Sequence, residues 1–279
     1  MSLISSYENA FGGKPNLKTI SNTYKSVVER DAITIVITHP DNDRKKQYLL
    51  ECIDSIKTEK VIVSNYPIDN DIQTKSDWIL YTNKNEILLQ EDFKKYSVEY
   101  WYNWRWPDGS ITYMTAKKEA GYACYDLIRK GLSFCKGLGK KKIHVINYDY
   151  VIPNEVLIEN EKLLDQNDLI FYRNGSYQIH IQDEYSTGFF SGDIDVLLEF
   201  FTHYKTKEQY YTEPRKTNRE LFLEGKMKSF YDNNPHSIFT KTWQEVPDGT
   251  LIDREKFLPS REEFWEEKLK QDISKNNIV

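Results

Sequence analysis

The triplet Asn147-Tyr148-Asp149 has the residue types and spacing of a site for a hard divalent cation. It ends an apolar run that follows Lys142 and reads as a buried strand, and Pro153 stops this strand. Side chains alternate along an extended chain, so we expect Asn147 and Asp149 to point the same way. A carboxylate and an amide carbonyl suit Mg²⁺ or Mn²⁺, which leave other positions to water and phosphate oxygens. Taken alone, however, the triplet is more often a strand end that caps the next helix.

The elements that must position this triplet alternate between strands and helices. Apolar runs predict strands at 33–37, 61–64 and 78–81, and the helical spacing of Leu49 and Cys52 predicts a helix over 43–57. This β-α-β alternation indicates an α/β fold whose sheet has a parallel core. In such sheets ligands bind beyond the carboxyl ends of the strands. The turn at 38–43, the residues after Ser64 and the triplet are therefore expected to converge.

Length and composition limit the class of protein. The 279 residues are enough for one large α/β domain with additions. We predict a lead-in at 1–30, the main domain at 31–230 and a C-terminal appendage at 231–279. A net charge of -5 argues against a general nucleic-acid binder. No run approaches the roughly 18 apolar residues of a membrane span and the start is unlike a signal peptide, so the expected location is cytoplasmic.

Two other segments have a composition that suggests a role in binding. Aromatic residues make up 14% of the chain, and they cluster at 96–113 around a Pro107-Asp108-Gly109 turn that predicts a hairpin. Such rings stack on sugars about as often as they pack a hairpin onto a protein body. A helix is predicted from a cap at Thr115 to about Lys136, with Lys117 in its first turn, where free N–H groups favour phosphate.

The order of these elements resembles the GT-A class of nucleotide-sugar glycosyltransferases, in particular family 2. The resemblance rests on Ile33–Pro40 followed by a helix, the strand at 61–64, the long helix before a glycine break, and the strand that ends at Asn147–Asp149. It implies a Rossmann-related mixed sheet with a parallel core flanked by helices, followed by a helical appendage. It also implies transfer of a sugar from a UDP- or GDP-type donor to a hydroxyl acceptor, with a glycan as the expected acceptor.

The resemblance assigns roles to particular residues. In that class an Asp-x-Asp triplet binds Mn²⁺ or Mg²⁺. Here Asn147 takes the first position, so Asp149 is the expected main ligand, and His236 is a candidate late ligand that could equally be a solvated loop residue. The donor contacts implied by the resemblance or by position are Thr38, His39, Pro40, Asn65, Lys117, Asn147, Tyr148 and Asp149.

An inverting reaction needs a base for the acceptor hydroxyl. Asp193 is the first candidate and Glu184 competes with it, although an acidic residue in the position of Asp193 more often caps a helix. Two alternatives stay open. A nucleotidyltransferase that makes nucleotide sugars normally has a glycine-rich loop after the first strand, and 38–43 contains no glycine. A non-catalytic carbohydrate-binding protein would use the aromatic hairpin without any nucleotide.

Overall fold

A computed structural model describes residues 31–96, 101–105, 111–115, 118–173, 185–214 and 222–242. The strands are β1 Ala32–Thr38, β2 Lys60–Ser64, β3 Trp78–Tyr81, β4 Leu88–Leu89, β5 Trp101–Arg105, β6 Ile111–Thr115, β7 Lys118–Glu119, β8 Lys142–Asn147, β9 Leu169–Arg173, β10 Tyr185–Asp193 and β11 Ile238–Thr242. The helices are α1 Asp43–Ser55, α2 Asn70–Thr74, α3 Gly121–Gly137, α4 Asn154–Leu163, α5 Ile194–Phe201, α6 Lys207–Thr212 and α7 Leu223–Asp232, and a 3₁₀ helix spans Gln90–Tyr96.

The main sheet has a parallel core, as the sequence predicts. Among the described residues it contains seven strands in the order β11-β9-β10-β8-β1-β2-β3. The strands β3, β2, β1 and β8 are mutually parallel, whereas β10 runs antiparallel to both of its neighbours, β8 and β9. The predicted class, a mixed α/β sheet flanked by helices, is therefore confirmed.

Helices cover both faces of this sheet because its strands are apolar on both sides. On one face, the side chains of Ile33, Ile35 and Ile37 pack with those of α3, α5, α6 and α7. On the other face, Val36 packs in a cluster with α1, α2 and α4. In the described part of the chain no helix combines the length and apolar character needed to cross a bilayer.

The approach of α3 to the sheet depends on a glycine. A Cβ atom at Gly131 would lie 2.8 Å from Cγ2 of Ile35 and 3.1 Å from Cγ2 of Val63. At the end of α3, Gly139 adopts a φ of 77°, a left-handed value that lets the chain turn towards β8. Gly131 thus sets how closely α3 lies on β1 and β2, and Gly139 allows the turn that follows the helix.

A buried polar network joins three strands to α4. The Ser191 hydroxyl of β10 lies 2.8 Å from Nδ1 of His144 and accepts a hydrogen bond from Nδ2 of Asn160 at 2.9 Å. The Tyr172 hydroxyl of β9 donates to Oδ1 of Asn160 at 3.0 Å. All four residues are fully buried, so His144 is a core histidine.

Several predicted elements differ from the structure. The long helix begins at Gly121 and not at Thr115, because β6 and β7 occupy that segment. The polar segment 185–193 forms the long strand β10, which the sequence analysis did not predict. Strand β11, which lies beyond the predicted domain boundary at 230, pairs with β9 in the main sheet. The predicted lead-in at 1–30 and the rest of the predicted appendage, 243–279, lie outside the described residues. The predicted hairpin exists as the antiparallel pair β5–β6.

We expect Gly131→Ala to lower the free energy of unfolding by about 1–2 kcal/mol. The added methyl group overpacks the contact with Ile35, which costs about 1–3 kcal/mol. The higher helix propensity of alanine offsets up to about 1 kcal/mol of this cost. Urea unfolding measures the change. Gly137→Ala, in the exposed last turn of the same helix, is the control and should not destabilise. Equal effects of the two substitutions would contradict the close packing of α3.

Candidate functional site

The carboxyl ends of β1, β2 and β8 lie together at one edge of the main sheet. Ile37 is in register with Asn147, and Thr38 is in register with Ser64. The Tyr148 N–H donates to the Ile37 carbonyl at 3.1 Å. The chain leaves β1 for β2 on one side and reaches β8, on the other side of β1, only after β3 and α3, so this is the point where the strand order reverses. We call this region, with the starts of β10, α3 and α7 described below, the carboxyl-edge site.

The Asn147–Asp149 triplet lies at this site, but its geometry differs from the predicted one. Strand β8 ends at Asn147, and Tyr148 and Asp149 form a turn closed by the Tyr150 N–H, which donates to the Asn147 carbonyl at 3.1 Å. The alternation of an extended strand therefore does not reach Asp149. All three triplet residues are half-buried. Burial raises the pKa of the Tyr148 hydroxyl, and the nearby Asp149 and Asp41 carboxylates add to the rise.

The predicted donor contacts His39 and Asn65 are in direct contact with each other. Nδ1 of His39 lies 2.6 Å from Oδ1 of Asn65, and the His39 ring meets the Tyr66 ring edge-on at a centroid distance of 5.4 Å. Nε2 of His39 lies 3.6 Å from the Asp41 carboxylate. Polar groups that bridge the ends of β1 and β2 in this way are suited to contact a flat, hydrogen-bonding ligand.

Thr38 and Pro40 are buried at the same edge. Thr38 is 3% exposed, and its hydroxyl makes no hydrogen bond to any described residue. A buried hydroxyl without a partner is costly unless another group satisfies it. Helix α1 follows and begins at Asp43. The residue that caps it is Asn42, whose side chain accepts from the Lys45 N–H at 3.0 Å.

The start of β10 brings a glutamate of α7 to the carboxyl-edge site. Phe189 is in register with Ile146, so Thr187, two residues earlier on the antiparallel strand, lies towards the carboxyl end of β8. The Tyr150 ring occupies the space where a Cβ atom of Gly188 would lie, which joins the turn after β8 to β10. The Thr187 hydroxyl donates to Oε1 of Glu224 at 2.6 Å.

A second glutamate, Glu119, is held where β7 leads into α3. It is 6% exposed, its Oε1 accepts from the Gly121 N–H, and its Oε2 accepts from the Tyr211 hydroxyl. Burial raises the pKa of Glu119 to about 7, and the Glu224 carboxylate adds to the rise, whereas the Gly121 N–H and Lys226 oppose it. The carboxyl group is therefore close to half protonated at neutral pH.

Hydrogen bonds place the two glutamates at the same end of the sheet. Glu119 accepts from the Gly121 N–H at the start of α3, and Glu224 accepts from Thr187 near the start of β10. In the first turn of α3, burial raises the pKa of the Cys124 thiol to about 12, and Glu119, Glu224 and Asp149 add to the rise. The carboxyl-edge site thus combines Asn147 and Asp149 with two further carboxylates.

Asp193 and His236 lie at the opposite edge of the sheet. Asp193 is in register with Lys142, the first residue of β8, about 17 Å from the far end of that strand at about 3.4 Å per residue. Its carboxylate caps α5 by accepting from the N–H groups of Asp195 and Val196. The Asp193 N–H donates to the Asp168 carbonyl at 2.8 Å, and the His236 ring lies 3.9 Å from the Asp168 carboxylate.

The structure therefore does not bring Asp193 or His236 together with Asp149. Strand β10 is antiparallel to β8, and this reversal sends the end of β10 away from the end of β8. Two other predicted residues, Lys117 and Glu184, lie outside the described residues, and Lys118 belongs to β7 and not to a helical turn. A cavity of about 300 Å³ also lies at the Asp193 edge, between Lys142 and Glu161, far from the triplet.

The donor set at the triplet fits a divalent cation that takes further ligands from elsewhere. Within the described ranges, no group of three or more His, Cys, Asp or Glu residues is placed to hold a metal ion. Asp149 and Asn147 offer a carboxylate and an amide oxygen, and Mg²⁺ is normally held by one or two carboxylates together with water and substrate phosphates. The residues thus suit a cation that binds together with a phosphate ligand.

Glu119 and Glu224 are not among the residues predicted from the sequence. Glu119 lies within the helix predicted from Thr115 to about Lys136, where a glutamate is a common surface residue. The placement of both depends on contacts with distant residues, Tyr211 for Glu119 and Thr187 for Glu224, that no local pattern reveals.

No protein-family model and no curated protein matches the sequence. Solved structures of similar fold include a protein assigned as a nucleotide-diphospho-sugar transferase from Desulfovibrio desulfuricans G20, with 10% identity, a TM-score of 0.37, and coverage of 76% of this chain and 80% of that chain. A cytidylyltransferase from Leptospira borgpetersenii has 10% identity and a TM-score of 0.41 over 79% of both chains. The galactosyltransferase LgtC, in complex with donor and acceptor sugar analogs, has 12% identity and a TM-score of 0.38 over 75% of this chain and 72% of that chain. Likeness at this level assigns no activity, ligand or catalytic residue.

We expect Glu119→Gln to change the pH dependence of stability. The pKa of Glu119 is about 7 in the folded chain and 4.5 ordinarily, so the folded chain binds this proton more tightly than the unfolded chain does. The free energy of unfolding therefore falls as the pH rises from 4.5 to 7. The variant cannot lose this proton. Between pH 5 and pH 8 the variant should therefore gain about 2–3 kcal/mol relative to the wild type.

Urea unfolding of both proteins at the two pH values measures this difference. Glu208→Gln removes a carboxylate that is exposed in the first turn of α6, and it should follow the wild type at both pH values. A difference between Glu119→Gln and the wild type that is the same at pH 5 and pH 8 would show that Glu119 titrates normally.

Proposed function

We propose that the chain transfers a sugar from a nucleoside-diphosphate donor to a hydroxyl acceptor. The observation that carries this proposal is the meeting of the β1 and β2 ends with the Asn147–Asp149 turn where the strand order reverses. Crevices at such points are the usual ligand sites of open α/β sheets. Here one side of the crevice offers hydrogen-bonding groups for a nucleoside, and the other offers oxygen ligands for a phosphate-bound cation.

His39, Asn65 and the buried Thr38 hydroxyl support the nucleoside end of the proposed donor. The pair of His39 and Asn65 presents ring and amide groups beside Tyr66, and His39 is half-buried whereas Asn65 is buried. Such groups recognise the edge of a base or the ribose hydroxyls. Binding there leaves the diphosphate to extend along β1 towards β8, because Ile37 and Asn147 are neighbours in the sheet.

Asn147 and Asp149 support the diphosphate end. A bound Mg²⁺ or Mn²⁺ would stabilise the negative charge that develops on the diphosphate as the sugar leaves. Asp149 supplies the charged ligand and Asn147 a neutral oxygen. The acceptor that we propose is a glycan hydroxyl, and Trp101, Tyr102 and Trp104 of the β5–β6 hairpin are of the residue types that stack on sugar rings.

We expect calorimetry to detect binding of UDP or GDP in the presence of Mn²⁺. The cation links the diphosphate to Asp149, so removal of Mn²⁺ with EDTA should weaken binding. Release of UDP or GDP from the corresponding nucleotide sugars then measures transfer. Formation of pyrophosphate from a nucleoside triphosphate and a sugar phosphate would instead identify a nucleotidyltransferase, and glycan binding without any nucleotide binding would identify a carbohydrate-binding protein.

Asp149→Ala should weaken Mn²⁺-dependent binding of the diphosphate by about 100-fold or more, since the loss of outer partners of a metal ligand alone costs about 10- to 100-fold. The matched control is Asp193→Asn, which keeps a good helix cap at the opposite edge and should bind normally. Thermal unfolding confirms that both variants fold. Unchanged Mn²⁺-dependent binding by Asp149→Ala would rule out this assignment.

A further inference from the structure

The proposed transfer requires a group that accepts the proton of the acceptor hydroxyl. A positioned carboxylate is suited to this task. Asp193 is excluded by its place at the opposite edge of the sheet. Several other described carboxylates lie near the carboxyl edge. Asp41 is ion-paired with Lys45 at 2.6 Å. Glu119 lies beside Gly121 at the start of α3, Glu224 lies beside Thr187 of β10, and Asp149 lies in the turn after β8.

Glu119 and Asp149 are poorly suited to accept this proton. Both oxygens of Glu119 already accept hydrogen bonds, from the Gly121 N–H and the Tyr211 hydroxyl, and the side chain is almost fully buried. Asp149 has the proposed role at the diphosphate end, where a cation would reduce its basicity. Glu224 is half-buried, so solvent and a hydroxyl ligand can reach it.

The contacts of Glu224 orient one oxygen and leave the other for a ligand. Oε1 accepts from the Thr187 hydroxyl at 2.6 Å, and this is the one side-chain hydrogen bond that Glu224 makes to a described residue. Glu224 lies in the first turn of α7, where the helix dipole favours a negative charge. Thr187 lies two residues before Phe189, which is in register with Ile146 near the end of β8, and beside Gly188, which the Tyr150 ring contacts. Through Thr187, Glu224 therefore lies at the end of the sheet where the Asn147–Asp149 turn follows β8.

We propose that Glu224 removes the proton from the acceptor hydroxyl and that Thr187 orients its carboxylate; this inference rests on the proposed function. The acceptor oxygen forms a bond to the anomeric carbon, and the bond from that carbon to the phosphate oxygen breaks. The electron pair of the broken bond leaves with the nucleoside diphosphate. The hydroxyl proton is transferred to Oε2 of Glu224 and passes to solvent after the product leaves.

Three variants test this role. Glu224→Gln keeps the shape and the acceptor for Thr187 but removes the basic oxygen, and we expect a fall in kcat of about 100-fold or more with an unchanged donor KM. Glu224→Asp keeps the carboxylate and should retain more activity than Glu224→Gln. Thr187→Val removes the orienting hydroxyl at nearly constant volume and should lower kcat by about 10- to 100-fold, the effect of a lost hydrogen bond to a charged group. Glu208→Gln, in the first turn of α6, is the control and should transfer normally.

The assay uses UDP-glucose, UDP-N-acetylglucosamine and GDP-mannose with p-nitrophenyl glycosides as acceptors, and calorimetry with UDP and GDP in Mn²⁺ runs in parallel. Lost turnover of Glu224→Gln with normal diphosphate binding supports the proposal. Turnover of Glu224→Gln near that of the wild type overturns it and leaves the proposed function intact. Absence of both diphosphate binding and transfer in the wild type overturns the proposed function and this inference with it.

Discussion

The two pairings of β8 control which side chains meet in this molecule. Strand β8 is parallel to β1 on one side and antiparallel to β10 on the other. The parallel pairing brings the ends of β1 and β8 to the same edge, so Thr38 and Asn147 become neighbours. The antiparallel pairing brings the start of β10 to that edge and sends its end to the other edge. Thr187 is therefore near the edge that carries the Asn147–Asp149 turn, and Asp193 is not.

The strands of the parallel core could be predicted because their sequences are continuous runs of β-branched and apolar residues, as in Ile33–Ile37. Strand β10 could not, since Tyr185–Asp193 contains serine, threonine and glycine, residue types that favour turns. Its strand state depends on hydrogen bonds to both neighbours, which are remote in sequence. The direction of one polar strand thus decided whether the predicted base lay in the site or outside it.

Some residues of the candidate site could be predicted from the sequence, and others could not. Those that follow strands of the parallel core, such as His39, Asn65 and Asp149, could be found from the sequence because the position of a strand end predicts its edge. Glu119 and Glu224 depend on contacts with Tyr211 and Thr187, and no periodic pattern encodes such contacts. Glu119 also has a structural cost, because a carboxyl group is kept almost fully buried and close to half protonated at neutral pH.

The buried network around Ser191 fixes the register of β10 against β8. Ser191 is directly opposite His144, and a slip of β10 by one residue would place Phe190 or Gly192 there and turn the hydroxyl to the other face. His144 and Asn160 would then each lose a buried partner, at about 1–3 kcal/mol per group. Competing alignments are disfavoured far from the carboxyl-edge site, and the correct alignment keeps Thr187 near the carboxyl end of β8. A few fully buried polar atoms in the middle of the sheet thus control which side chains of β10 lie at the carboxyl-edge site.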